Sequence, residues 1–357
     1  MKPRGLFGFV LLALLLSAFG GCEKQSALEP ESAQAHSNPE ATPSGTQLKF
    51  AVFTDMHYYD PALGTSGAAF EEYIARDRKM IAESHAIMEA AVNALLMENS
   101  KVVLVPGDMT KDGERHNHER VAEFLAQLED AGKTVYVVPG NHDISNPHAY
   151  AYSGDVAVPI PSVTPSEFVD IYAEFGFDEA LYQDPNSLTY IVSPKPDIWI
   201  MAMDACNYDN KFPGLSPTSG KFSDATLNWI VDKLQMAQSL GITVFGMMHH
   251  GVVEHFPGME QVFFEYLVVD WSTVATTFAA YDMNVVFTGH HHATDIATLD
   301  TGTGTIIDVQ TGSTVTWQCP YRVMHYDNFT GNLDIDNEPI TSINYDTGGK
   351  DFQTYAY

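Results

Sequence analysis

Seven side chains, carried in five short segments, have the types and order to hold a pair of metal cations. They are Asp55 and His57 in Asp55-Met56-His57, Asp108 in Gly107-Asp108, and Asn141 in Gly140-Asn141-His142-Asp143. His249 in His249-His250, and His290 and His292 in Gly289-His290-His291-His292, complete the set. Carboxylate oxygen, amide carbonyl and imidazole nitrogen together suit borderline divalent ions such as Mn, Fe, Zn or Co. No cysteine joins them, which argues against a structural thiolate zinc site. The set exceeds what one ion with open positions needs, whereas two ions sharing a bridging carboxylate would use every donor. Two cations roughly 3.5–4 Å apart can activate a water and clamp a phosphoryl group. A lone Asp-x-His or Gly-Asp arises by chance in many chains; the weight lies in all five segments in this order.

The surrounding residues supply elements to position these donors. Apolar, β-branched runs at 48–54, 102–105, 134–138, 242–248 and 284–288 read as buried strands, and each leads directly into one of the five segments. A sixth strand, 198–203, runs into Asp204, which is expected to support the site through hydrogen bonds. Between the strands lie amphipathic stretches. Ile74, Ile81, Met88 and Leu95 recur on one helical face, and Val121, Phe124, Leu125 and Leu128 on another, stopped by Gly132. Thr164, Pro165 and Glu167 form a capping-box signature, and Ser223 opens a helix that closes near Gly241. Strand and helix alternating in this way predict an α/β domain, with the polar residues at the carboxyl edge where such sheets bind ligands.

In that order the motifs resemble the calcineurin-like metallophosphoesterase superfamily, over residues 48–325. The resemblance implies a four-layer αββα sandwich of two mixed β-sheets flanked by helices. It also implies that Asp55, His57 and His292 hold one metal, that Asn141, His249 and His290 hold the other, and that Asp108 bridges them. His142, oriented by Asp143, would stabilise or protonate the leaving oxygen while a metal-bound hydroxide attacks. Gly113 and Glu114 match the family's continuation after Gly-Asp; Lys111 and Asp112 read as ordinary turn residues. His250 fits either phosphate contact or packing, and His291 faces solvent or substrate. His116, His118, His255 and His325 read as surface or packing histidines, and Arg322 as a salt-bridge partner. Asp55 to Tyr59 followed by Leu63-Gly64-Thr65, together with Met248-His249-His250, looks like bacterial cyclic-nucleotide phosphodiesterases.

The bulk composition narrows the partners. Eighteen Lys and Arg against 46 Asp and Glu give a formal net charge of -28. Such a surface repels nucleic-acid duplexes, so a small phosphoester is the expected substrate, with local cations offsetting the repulsion. The N-terminus reads as a targeting segment: Lys2 and Arg4 precede a short apolar run from Leu6 to Ala18, too short for a comfortable membrane span. Phe19-Gly20-Gly21-Cys22 resembles a bacterial lipobox, implying a signal peptide over 1–21 and a lipidated Cys22. Residues 22–46 then form a flexible tether to an extracytoplasmic membrane face. The expected phosphoesterase domain spans 47–330, followed by a polar tail, 331–357. Cys206 and Cys319, the other two cysteines, fit either a disulfide or two buried thiols.

Three functions fit these features: a phosphodiesterase favouring cyclic nucleotides, a phosphomonoesterase or nucleotidase on the same metals, and a non-catalytic metal- or solute-binding lipoprotein. His142 fits the third poorly, because a binding site gains little from an acid beside the metals. Loops at 58–70, 149–164 and 207–219 are the expected carriers of specificity. Oligomeric state leaves no trace in the sequence.

Overall fold

The computed structural model describes residues 46–357, so the targeting segment, Cys22 and the tether up to residue 45 lie outside the described residues. Among the described residues no helix is long and apolar enough to cross a membrane. In chain order the strands are β1 (Gln47–Val52), β2 (Val102–Val105), β3 (Thr134–Val137), β4 (Tyr150–Ser153), β5 (Val156–Pro159), β6 (Tyr182–Gln183) and β7 (Tyr190–Lys195). They continue with β8 (Ile198–Met203), β9 (Thr243–Met248), β10 (Val285–Thr288), β11 (Asp295–Asp300), β12 (Thr305–Gln310), β13 (Pro320–Asp327) and β14 (Asn332–Pro339). The helices are α1 (Ala68–Ile74), α2 (Ser84–Met97), α3 (Arg115–Asp130), α4 (Pro165–Ile171), α5 (Asp224–Leu240), α6 (Met259–Phe263), α7 (Trp271–Ala280) and α8 (Phe352–Ala356).

Two mixed sheets result, one in the order β14-β13-β1-β2-β3 and the other β11-β12-β10-β9-β8-β7-β6. β1, β2 and β3 run parallel, as do β8, β9, β10 and β12. The second sheet shows why two faces are covered. On β8, Ile198, Ile200 and Ala202 join the core against the first sheet, while Trp199, Met201 and Met203 join a separate core with Ile230 and Leu234 of α5 and Phe278 of α7. Successive side chains on a strand point to opposite faces, so a continuous apolar run buries both. Between the sheets Phe50 meets Phe287 edge-on at 5.2 Å, and Phe245 meets Tyr326 at 4.8 Å. Burying one such ring contributes about 1.5–3 kcal/mol. With α2 and α3 against the first sheet, the layers are helix, sheet, sheet, helix, as expected.

The helix ends follow their local chemistry. Thr164 and Glu167 form the reciprocal capping box at α4, Ser223 accepts from Thr226 N at α5, and Gly241 closes α5 at φ 67°. The single helical face drawn through Ile74, Ile81, Met88 and Leu95 is instead two helices, α1 and α2, separated by 75–83. The break is held by polar contacts: Asp77 Oδ1 accepts from Lys79 N at 3.0 Å, and Met80 N donates to Val315 O at 2.8 Å.

Residues 331–357 are not an appended tail. β14 pairs with β13 from Asn332–Asp327 to Pro339–Pro320, so a boundary after 330 cuts a hairpin, and Ile340 and Phe352 enter the main core. Its polar composition reflects an edge strand with its outer face in water. Cys206 and Cys319 are both buried free thiols, which resolves the alternatives against a disulfide; Cys206 Sγ donates to Pro139 O.

Candidate metal centre

The turns after β1, β2 and β10 force the backbone into an unusual state. Asp55, His57, Asp108, His290 and His292 have φ of 53°, 39°, 49°, 70° and 58°, the left-handed region that L-residues avoid. Single residues held there cost about 1–3 kcal/mol each and gather where function over-determines them. The motif glycines have a matching cause. A Cβ on Gly140 would lie 2.1 Å from Asp108 Oδ1, and one on Gly289 would lie 2.3 Å from Asp55 Oδ2. Only glycine lets the neighbouring loops close against these carboxylates.

Backbone amides then aim the acids. His142 N donates to Asp108 Oδ1 at 2.9 Å, and His290 N donates to the Asp55 carboxylate at 3.1 Å. The result is two groups of donor atoms that share one residue: Asp55, His57, Asp108 and His292 in the first, and Asp108, His249 and His290 in the second. Within them His57 Nε2 lies 3.0 Å from His292 Nε2 and 3.6 Å from Asp108 Oδ2, while His249 Nε2 lies 3.2 Å from Asp108 Oδ2. Asn141 Oδ1 sits 3.1 Å from His249 Nε2. All seven sequence-identified donors therefore converge, and the acids and His57 are fully buried.

The imidazoles are oriented from behind. His249 Nδ1 donates to Pro106 O at 2.8 Å, which leaves Nε2 for the centre; His290 Nε2 donates to Glu265 O at 3.1 Å, which leaves Nδ1. Such partners fix the tautomer of a ligating histidine. Electrostatics agree with a cation-binding role. Burial works against ionisation of Asp108, yet His249 and His142 hold its carboxyl well below the usual range. Burial also opposes charge on His249, but Asp108 pushes it up to about 9 in the metal-free chain. Binding a divalent ion there requires His249 to release that proton. Oxygen and nitrogen donors with two buried acids and no thiol fit borderline divalent ions, so the residues present fit the group the motifs imply.

His142 differs from expectation in its partner. Its Nδ1 donates to Lys111 O at 2.7 Å and Asp112 Oδ1 at 3.0 Å, which leaves Nε2 for the cleft. Burial disfavours its charge, but Asp108 and the Asp112 hydrogen bond outweigh this and raise its pKa. Asp143 does not orient it. Asp143 accepts from Met109 N, Thr110 N, Thr110 Oγ1 and Gly140 N at 2.8–3.2 Å, tying the Gly-Asp turn to the Gly-Asn-His-Asp turn. The sequence reading thus missed Asp112, set aside as a turn residue. Lys111 is no surface turn residue either. It is fully buried, paired with Asp112 at 2.5 Å and Glu114 at 3.3 Å, with its ammonium 4.6 Å from the Tyr73 ring centroid. The charge of Asp112 is thereby compensated in a dry setting.

The remaining candidates sort into packing. His250 is buried, packs at a tilt against His290 with ring centroids 4.5 Å apart and reaches Thr218 O at 2.9 Å, with burial first and then His249 lowering its pKa to about 3. His291 packs against Phe263 and Tyr266. His118 is buried against Tyr172 and Asp143 O, and His255 faces Asp295 at 3.0 Å. Asp204 accepts from Cys206 N and Tyr208 Oη, anchoring the 207–219 loop. Arg322 makes no ion pair among the described residues; it joins the sheets through carbonyls of Asp295 and Gln310. The 149–164 and 207–219 loops line cavities beside His142, and Ala69 of the 58–70 loop joins one of them, whereas Tyr58 and Tyr59 of that loop are core residues. The segments 76–79 and 263–266 also line the site, and no sequence motif marked them.

Comparison with known proteins supports this architecture. The fold is similar to a dimetal phosphatase from Danio rerio, at 15% identity, covering 82% of this chain and 99% of that one with a TM-score of 0.53. Slighter likenesses link it to a purple acid phosphatase from yellow lupin (Lupinus luteus; 12% identity, 83% and 54% coverage, TM-score 0.46). A 5'-nucleotidase precursor from Thermus thermophilus is similar to the same degree (12%, 84% and 55%, 0.43). The chain spans about half the length of those two proteins. No curated protein matches it. The family model for calcineurin-like phosphoesterases matches residues 48–294, a span that carries all five motifs and both donor groups, and the chain belongs to that family.

Proposed function

We propose that this phosphoesterase is a phosphodiesterase that acts on cyclic nucleotides, exported and tethered to a membrane through Cys22. The observation that carries the reading is the pair of donor groups sharing Asp108. Asp55, His57, Asp108 and His292 would hold one cation, and Asp108, Asn141, His249 and His290 the other. When bound, the pair supplies charge to neutralise the phosphoryl oxygens and acidity to activate water. His142 holds its Nδ1 proton on Lys111 O and Asp112, and in the imidazolium form, which Asp108 and the Asp112 hydrogen bond favour, its Nε2–H would donate to the leaving oxygen as charge develops there. Asp112 and Lys111 O keep that ring in one orientation. Although burial opposes charge on Asp112, the His142 hydrogen bond and then the Lys111 ammonium hold its carboxyl below the usual range.

Support for a diester comes from cavities on two sides of the centre. One, about 460 Å³, reaches His142 and is walled by Tyr150 and Tyr152; another, about 690 Å³, reaches His290 and His292 and is walled by Phe263 and Trp317. An acyclic diester presents organic groups on two sides of phosphorus, whereas a monoester needs one such space. In a cyclic nucleotide both ester oxygens share one ribose, so the cavities support a diester and the cyclic-nucleotide reading rests on the resemblance at Asp55–Tyr59 and Met248–His250. The test is metal-dependent turnover of bis-p-nitrophenyl phosphate, p-nitrophenyl phosphate and cyclic AMP. Hydrolysis of cyclic AMP and the diester supports the proposal; turnover of the monoester alone rejects it in favour of a phosphomonoesterase. Inert protein with both metals bound would point to a binding lipoprotein. The tether is tested separately, by membrane fractionation of the wild type against Cys22→Ser.

A further inference from the structure

The break between α1 and α2 places three cations, Arg76, Arg78 and Lys79, in four consecutive residues of a chain with 18 Lys and Arg in all. Arg76, Asp77 and Lys79 line both cavities described above, so this segment is the wall that the two spaces share. Lys79 differs from its neighbours. Arg76 is exposed and paired with Glu72 on the rim, whereas the Lys79 side chain is 13% exposed. Its position is built rather than incidental. Asp77 receives the Lys79 amide at 3.0 Å and the Tyr73 hydroxyl at 3.1 Å, and its carboxylate lies 3.4 Å from Nζ. The next residue is fixed to Val315 by a main-chain bond.

We propose that Lys79 is a substrate-positioning residue whose ammonium contacts a non-bridging oxygen of the phosphoryl group, with the ester's organic groups in the cavities on its two sides. This rests on the phosphoesterase site assigned above and adds a protein cation to it. Two facts converge on Lys79. It lies between the cavity that reaches His142 and the cavity that reaches His290 and His292. It is also a point charge on a flexible stem, suited to following phosphoryl oxygens as the ester turns over. In a chain of net charge -28, a protein cation here also attracts an anionic ester towards the metals.

The test uses the metal-loaded chain and inorganic phosphate as the probe, titrated by calorimetry and as a competitive inhibitor. Lys79→Gln should weaken phosphate binding about tenfold or more, as expected for loss of one charge-assisted contact. KM for bis-p-nitrophenyl phosphate should rise in parallel while kcat falls less, and metal content should be unchanged. Lys79→Arg, which keeps the charge, should recover most of the affinity. Should Lys79→Gln fold poorly, Lys79→Met retains the apolar stem and reads the same constants. Phosphate affinity within about twofold of wild type in a folded, metal-replete Lys79→Gln or Lys79→Met protein would overturn the assignment, as would an Arg variant no better than Gln. A wild type that cleaves no diester would sink the diesterase reading instead, and the phosphate comparison would still decide the role of Lys79.

Discussion

On the floor of the site every candidate ligand follows a buried strand within five residues, whereas the rim residues Lys79, Phe263 and Tyr266 lie in helical or irregular segments that follow no strand. The floor is rigid by construction: parallel strands fix where each turn begins, glycines let the turns close on the acids, and amides aim the carboxylates. The rim is held by a few long-range bonds, such as Met80 to Val315, and carries exposed aromatic surface. Chemistry belongs to the first kind of construction and selectivity to the second, because loops change without disturbing the strands beneath them.

Substitutions separate the two regions, and the largest effects belong on the floor. Asp108→Ala removes the residue common to both donor groups. Turnover should fall about 10³-fold or more, with metal content by elemental analysis dropping below the wild-type value. Retention of full activity would show that the floor is not the reacting centre. Asp112→Asn should lower turnover about 10²-fold with metals retained, because the His142 ring, still held by Lys111 O, loses the negative charge that favours its protonated form. Asp143→Asn should act differently: it replaces a carboxylate that accepts four bonds, so thermal unfolding should report a loss of about 1–3 kcal/mol. If the Asp143 variant lost turnover at unchanged stability, the exchange of roles between these acids would be wrong.

Gly140→Ala tests the close approach itself. The added methyl meets Asp108 Oδ1 at 2.1 Å, so stability should fall by about 1–3 kcal/mol and metal content should fall with it. Chelation of the wild type should lower its melting temperature as well, since five strained residues lose the ligand that favours their conformation. On the rim the effects should be smaller and confined to KM. Phe263→Ala, which removes a ring from the cavity beside His290, should raise KM for aryl or nucleoside esters about threefold to tenfold with metals intact. A change in metal content there would blur the division between floor and rim.

The floor was legible in the sequence for a physical reason. Each donor sits just after an apolar, β-branched run, and the residue types are those a divalent cation demands, so Asp55, Asp108, Asn141, His249 and His290 stand out locally. The α/β class followed from the same alternation, the two-sheet sandwich only from the family resemblance, and the caps at Thr164 and Ser223 from side chains that satisfy nearby amides. What stayed hidden depends on distance. Asp112 acquires its role only when the 140–143 turn folds over it, and Lys111 is buried by tyrosines 38 to 52 positions away in the chain, at Tyr59, Tyr73 and Tyr152. The apolar spacing of Ile74 and Ile81 matched one helix, and only the bonds of Asp77 and Met80 reveal a break. The polar end of the chain read as a tail because an edge strand exposes its polar groups, and its pairing with β13 is invisible to composition.

The central claim is that two cations share Asp108. Anomalous diffraction from crystals of the protein loaded with manganese tests it most directly. The account predicts two peaks per chain about 3.5–4 Å apart, one on either side of the Asp108 carboxylate, with His57 and His292 on one and His249 and His290 on the other. A single peak, or two peaks that do not both touch Asp108, would contradict it.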